Sequence, residues 1–208
     1  MPRRPASVEL LARLAKVLRK RKIGWYVFGA QAAIIYGSPR MTMDVDVTVA
    51  VAEGEVRALV DAILAAGFAS RAADLEAFFS RSRVVPLVHS RTGMPLDLVV
   101  ARDSLEMAFL SRAKLVDIGG LEVPVITPED LVIAKLFAGR PRDLEDIRAV
   151  LGTLGNSIDL RYVRNILGQL DEAEDRADLL HTLECAYRLT RTPVSPPCGH
   201  PRSVDCSG

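Results

Sequence analysis

The chain reads as an α+β fold: a mixed sheet with flanking helices, followed by a C-terminal helical segment. Three observations predict it. Short apolar runs bounded by Gly and Pro recur through the first 126 residues, stretches of helical periodicity alternate with them, and beyond residue 127 only helical periodicity remains. The expected division is 1–126 for a core with its N-terminal helix, 127–191 for the helical segment and 192–208 for a disordered tail rich in Pro, Ser and Gly.

With 208 residues, 49% of them hydrophobic, the chain can bury a substantial core. The net charge of +1 gives no global case for nucleic-acid binding and leaves only local basic patches. No apolar run reaches the roughly 18 to 20 residues that span a bilayer, and residues 1–4 do not lead into a signal-peptide core. A soluble, cytoplasmic protein with no membrane partner is expected. Cys185, Cys198 and Cys206 are an odd count and form no disulfide framework. Cys198, His200 and Cys206 offer three zinc ligands with no fourth nearby, so the tail reads as incidental rather than as a metal site.

Residues 7–22 place Leu10, Leu11, Leu14, Val17 and Leu18 at helical spacing and end in four cations that suit a helix C-terminus. Gly24 then releases a strand over 25–28, followed by a small-residue helix over 30–36 that Gly37 terminates. A strand over 45–51 precedes a helix over 53–66. Strands over 84–88 and 96–101 are joined across Thr92-Gly93-Met94-Pro95. A helix over 103–113 leads to two strands, 115–118 and 121–126, flanking the hairpin pair Gly119-Gly120. Thr127-Pro128-Glu129-Asp130 opens the next helix with a capping hydroxyl, a preset φ and acids facing the dipole. Helices over 144–154, 160–170 and 175–189 complete the chain. His89 and His181 have no partner pattern and read as surface residues of a strand and a helix.

The chemistry concentrates in Gly29-Ala30 and, beyond it, Gly37-Ser38-Pro39-Arg40-Met41-Thr42-Met43-Asp44-Val45-Asp46. Two carboxylates one residue apart on an apolar strand project to one face. Burying them without a counter-charge is costly, so such a pair holds a cation or stays in water. Asp97, between Leu96 and Leu98, is a third acid on a second apolar strand. If the strands are neighbours, Asp44, Asp46 and Asp97 can surround one or two Mg²⁺ ions, an arrangement suited to phosphoryl transfer, with Asp97 as general base. Gly29 at a strand-to-helix turn would let the backbone approach a triphosphate, and the N–H groups opening the Ala30 helix are anion donors. Arg40 and Thr42 stand between the two parts, where a guanidinium or hydroxyl can meet phosphate oxygens.

These residues resemble the nucleotidyltransferase motif of the DNA polymerase β superfamily, in which a Gly-Gly or Gly-Ser turn precedes an Asp-x-Asp strand. More narrowly they resemble the bacterial AbiEii-like group, the toxin component of type IV toxin–antitoxin and abortive-infection systems. A second matching stretch runs from Thr127-Pro128-Glu129-Asp130-Leu131 through Lys135 to Arg140-Pro141-Arg142-Asp143-Leu144-Glu145-Asp146-Ile147. The resemblance implies a polymerase-β-type mixed sheet, Mg²⁺ on Asp44, Asp46 and Asp97, and an NTP as substrate with its triphosphate near Gly29. It further implies that Lys135 reaches the nucleotide, and that Asp143 and Asp146 belong to the second motif. The chain differs at Ala30, where Gly or Ser is usual, and at Arg142, where Lys is usual.

The expected reaction moves a nucleoside monophosphate to a hydroxyl, with a tRNA end as the acceptor the resemblance suggests and a cognate antitoxin as a further partner. Two alternatives stay open: a small-molecule transferase of aminoglycoside type, with an acidic acceptor pocket, and a non-catalytic nucleotide- or antitoxin-binding module. Read alone, Asp44 and Asp46 are solvated edge acids or partners of Arg40, and Asp97 is a turn-proximal acid. On the same footing, Lys135 is a surface lysine, and Asp143 with Asp146 stabilises a helix N-terminus.

Overall fold

The structure is a computed structural model that describes residues 5–191. The cysteine and histidine residues of the tail therefore lie outside the described residues.

The first helix, α1 (Ala6–Lys20), buries Leu10, Leu11, Leu14 and Leu18 along one stripe. It leads into β1 (Gly24–Phe28), α2 (Gly29–Ile35) and β2 (Val45–Ala50). A 3-10 turn at Glu53–Glu55 precedes α3 (Val56–Ala65), so the helix expected from residue 53 begins one turn later in α form. Next come β3 (Phe68–Ser70) and α4 (Leu75–Ser82), two elements the sequence reading left unassigned. The antiparallel pair β4 (Val84–His89) and β5 (Pro95–Val100) follows, then α5 (Ser104–Arg112) and the hairpin β6 (Lys114–Asp117) and β7 (Glu122–Val125).

After β7 the described chain is helical: α6 (Pro128–Ala138), α7 (Pro141–Leu154), α8 (Leu160–Ala173) and α9 (Leu179–Arg191). As expected, the Thr127 hydroxyl caps α6 by accepting from the Asp130 N–H at 3.2 Å. Helix α7 starts at Pro141 rather than 144. Pro at the first helical position has no N–H to leave unsatisfied, and it keeps Arg140 extended.

The seven strands form one mixed sheet in the order β3-β4-β5-β2-β1-β7-β6. Strand β2 runs parallel to β5 and antiparallel to β1, and β1 runs parallel to β7. The expected mixed α+β architecture is thus observed. Val45, Val47 and Val49 are fully buried on one face of the central strand, as are Leu96 and Leu98 on its neighbour. Those runs pin the register, because a one-residue slip would turn the apolar face to solvent.

A polar joint ties the C-terminal helices to the sheet domain. Asp130, with no exposed surface, accepts from Arg112 Nε at 2.9 Å and from the Tyr162 hydroxyl at 2.9 Å, and the Arg112 guanidinium lies 4.0 Å above the Tyr162 ring. His89 corrects its sequence reading. It is buried, with Nδ1 2.9 Å from the Thr92 hydroxyl and its ring 5.1 Å from that of Phe68. Among the described residues no helix is long and apolar enough to cross a membrane.

Candidate active site

Register puts two carboxylates side by side. Asp46 on β2 and Asp97 on β5 are direct partners in the parallel pairing, so they emerge from the same face of strands about 4.8 Å apart. Asp44 stands one residue outside β2. It is half-buried, and its Oδ1 accepts a hydrogen bond from the Thr42 hydroxyl. Cross-strand register, rather than the period of two along one strand, therefore brings acids to one face, with Asp44 in the loop leading to the strand.

Asp46 carries the electrostatic load of the site. Burial, followed by the charges of Asp44 and Asp97, raises its carboxyl pKa from 3.8 to about 6. The Ala30 N–H and the Lys135 charge act in the opposite direction and do not outweigh them. The Ala30 amide that the sequence offered to a triphosphate is thus already engaged by Asp46. Gly29 has a matching role. Its φ of +64° opens α2, and a Cβ there would overlap the Asp46 carboxylate. What approaches this turn closely is the protein's own anion.

Asp97 has a cationic neighbour that the sequence did not single out. Arg71, just past β3, donates from Nη2 to Asp97 Oδ1 and from Nε to the Leu87 carbonyl at 2.9 Å, while its backbone N–H bonds to the Pro86 carbonyl at 2.9 Å. Among the described residues no set of three or more His, Cys, Asp or Glu side chains is gathered closely enough to hold a metal ion as the side chains lie. The donor chemistry nonetheless suits a hard divalent cation. Asp46 and Asp97 side by side, with Asp44 nearby, are hard oxygen donors, and Asp46 lacks a cation of its own like the one Arg71 gives Asp97.

Lys135 and Asp143, expected at the nucleotide, are found in a buried ion-pair hub. Lys135 is 6% exposed rather than a surface lysine, and its ammonium lies 2.7 Å from both Asp143 Oδ1 and Asp146 Oδ2. Asp146 also accepts from the Ser38 hydroxyl at 2.9 Å. Arg40 Nε sits 3.0 Å from Asp146 Oδ1, a charge contact that is not aligned as a hydrogen bond. The hub thus fastens the loop between α2 and β2 to α6 and α7. Asp146 and Ser38 are its centre, and the three-residue spacing of Asp143 and Asp146 on α7 was the visible signal for it. Arg71 gave no such signal, being a lone arginine beside a three-residue strand.

Beside Asp97, a groove of about 560 Å³ is lined by Arg71, Asp74, Phe78, Arg81 and Pro86. Asp74 accepts from the Ala77 N–H and so caps α4, whereas Arg81 has no ion pair among the described residues. Two exposed methionines, Met41 and Met43, flank Thr42 on the loop before β2.

The fold is thus a mixed α+β sheet with Asp46 and Asp97 on its central strands and the Gly29 turn against Asp46. The chain belongs to the family described as nucleotidyltransferase of unknown function (DUF6036), whose profile matches residues 8–191. Two similar solved structures are of the antibiotic-resistance factor ANT(2'')-Ia. Its solution structure is 15% identical with a TM-score of 0.54, covering 81% of this chain and 95% of the other. Its crystal structure with adenylyl-2''-tobramycin is 17% identical with a TM-score of 0.52, covering 89% and 98%. At such identities the likeness is one of fold. No curated protein matches the sequence.

Proposed function

We propose that the protein transfers a nucleoside monophosphate from an NTP to a hydroxyl acceptor, with release of pyrophosphate. The observation that carries this reading is the in-register placement of Asp46 and Asp97, where burial and like charge leave Asp46 short of a counter-cation. Asp46 and Asp97, with Asp44 nearby, would hold Mg²⁺, which supplies neutralisation of the charge developing on the transferred phosphoryl group. Asp97 accepts the proton of the attacking hydroxyl as its oxygen bonds to the α-phosphorus and the bond to pyrophosphate breaks. The Gly29 turn keeps the Asp46 carboxylate aimed at that point. The hub holds the loop carrying Arg40 and Thr42 in place. Arg40, with a third of its side chain exposed, is the member of the hub nearest to reach for phosphate oxygens. Lys135 and Asp143 support that loop rather than bind the nucleotide directly.

The groove beside Asp97 is lined by two arginines, Arg71 and Arg81, and two acids, Asp74 and Asp97, so its charge does not select the acceptor. Arg81, without an ion pair among the described residues, would meet a phosphate of an RNA end such as tRNA, the acceptor expected of an AbiEii-like toxin in the cytoplasm with a cognate antitoxin. The aminoglycoside-type alternative draws on the fold it shares with ANT(2'')-Ia, and a polycationic acceptor would meet Asp74 and Asp97 in this groove. The test incubates the protein with NTPs labelled at the α-phosphate, Mg²⁺ and either total tRNA or tobramycin, beside Asp46→Asn. Label on tRNA from the wild type alone supports the reading. Label on tobramycin alone moves the protein to the small-molecule class, and silence from both proteins leaves a binding module.

A further inference from the structure

We propose that Arg71 is a tethered counter-cation that stands at Asp97 in the metal's place, so that a divalent ion must displace it to complete the site. The inference rests on the nucleotidyltransferase reading and adds a positioning residue to it.

Three contacts fix Arg71 where it is. Its backbone N–H bonds to Pro86, its Nε bonds to Leu87, and its Nη2 donates to Asp97. The first holds the residue to β4 whatever Asp97 does, whereas Nε and Nη2 belong to one planar guanidinium and move together. The third is exchangeable: the two side chains are 37% and 33% exposed, and a solvent-screened pair of that kind contributes little net stability. The carboxylates beside it behave differently. Asp46 has no ion pair with an arginine among the described residues and is met by the Ala30 N–H instead.

The groove provides room for the exchange. With about 560 Å³ open between α4 and the sheet, the guanidinium can leave Asp97 without moving the backbone. The Nε bond to Leu87 is given up with it, the backbone N–H bond to Pro86 remains, and the side chain faces the groove beside Arg81.

The experiment measures Mn²⁺ affinity by calorimetric titration, without nucleotide, on the full chain and on Arg71→Gln, Arg71→Lys, Asp97→Asn, Asp46→Asn and the double variant Arg71→Gln/Asp97→Asn. Thermal melting checks that each is folded. Removing the competitor is expected to tighten Mn²⁺ binding about fivefold in Arg71→Gln, with Arg71→Lys between it and the wild type, and to change nothing in the Asp97→Asn background. Unchanged or weaker binding in Arg71→Gln overturns the proposal. So does equal tightening in the Asp97→Asn background, which would show a general charge effect. If wild type and Asp46→Asn bind Mn²⁺ alike, the nucleotidyltransferase reading falls as well. If binding depends on Asp46 but not on Arg71, the tethered cation alone is lost.

Discussion

Two clusters of acids lie close together in this protein and are treated in opposite ways. In the hub, Asp143 and Asp146 are met by Lys135 at 2.7 Å each, with Ser38 and Arg40 completing the shell of Asp146. On the open sheet face, Asp46 sits against Asp44 and Asp97 with one backbone amide and a more distant lysine to offset them, and its pKa rises to about 6. A buried charge with its partners supplied by the fold is a fastening. A half-buried carboxylate set against like charges weighs on the folded state, and a bound cation would relieve it.

Breaking the hub should produce the largest loss of stability. Asp146→Ala leaves the buried Lys135 ammonium with Asp143 as its remaining carboxylate and takes the acceptor from the Ser38 hydroxyl, for which a loss of about 3 kcal/mol is expected in urea unfolding. A loss below about 1 kcal/mol would mean that water reaches the hub and that its role as a fastening is overstated.

The acid face should respond in the other direction. Because the folded pKa of Asp46 lies above its unfolded value, its favourable contribution is present below about pH 4 and is lost as the pH rises through about 6. Asp46→Asn should therefore stabilise the protein by roughly 2 kcal/mol near pH 8 while abolishing transfer, and the gain should vanish near pH 4. Stability measured at the two pH values separates this from a simple packing change.

Gly29→Ala probes how the two features meet. Its Cβ would press on the Asp46 carboxylate from a left-handed backbone position, so a loss of roughly 2 kcal/mol is expected. Replacing Asp46 by Ala in the same chain should recover part of that loss, since it removes the clashing group. Smallest of all, Thr127→Ala removes the α6 cap and should cost about 1 kcal/mol by thermal unfolding, without altering metal affinity.

Much of this arrangement is legible in the residues. Thr127-Pro128, Gly119-Gly120 and the apolar runs around Asp46 and Asp97 are local signals, each tied to a turn, a cap or a strand, and the structure places them accordingly. What escaped reading is non-local or weakly periodic. Strand β3 buries only Phe68 and is too short to show alternation, while α4 buries none of its residues fully and is announced only by the Asp74 cap. Arg71 acquires meaning from a partner twenty-six residues away. Lys135 was expected at the nucleotide, or on the surface of an amphipathic helix, and only the fold, which buries that helix on nearly every side, brings Asp143 and Asp146 over its ammonium.

The central claim is that the acid face is an anion cluster waiting for a divalent cation. Thermal unfolding with and without millimolar Mg²⁺, near pH 8 and near pH 5, on the wild type and Asp46→Asn, tests it most directly. The account predicts a Mg²⁺-dependent rise in Tm that is larger near pH 8, where Asp46 is ionised, and absent from Asp46→Asn. A rise of equal size in both proteins, or none at either pH, would contradict it.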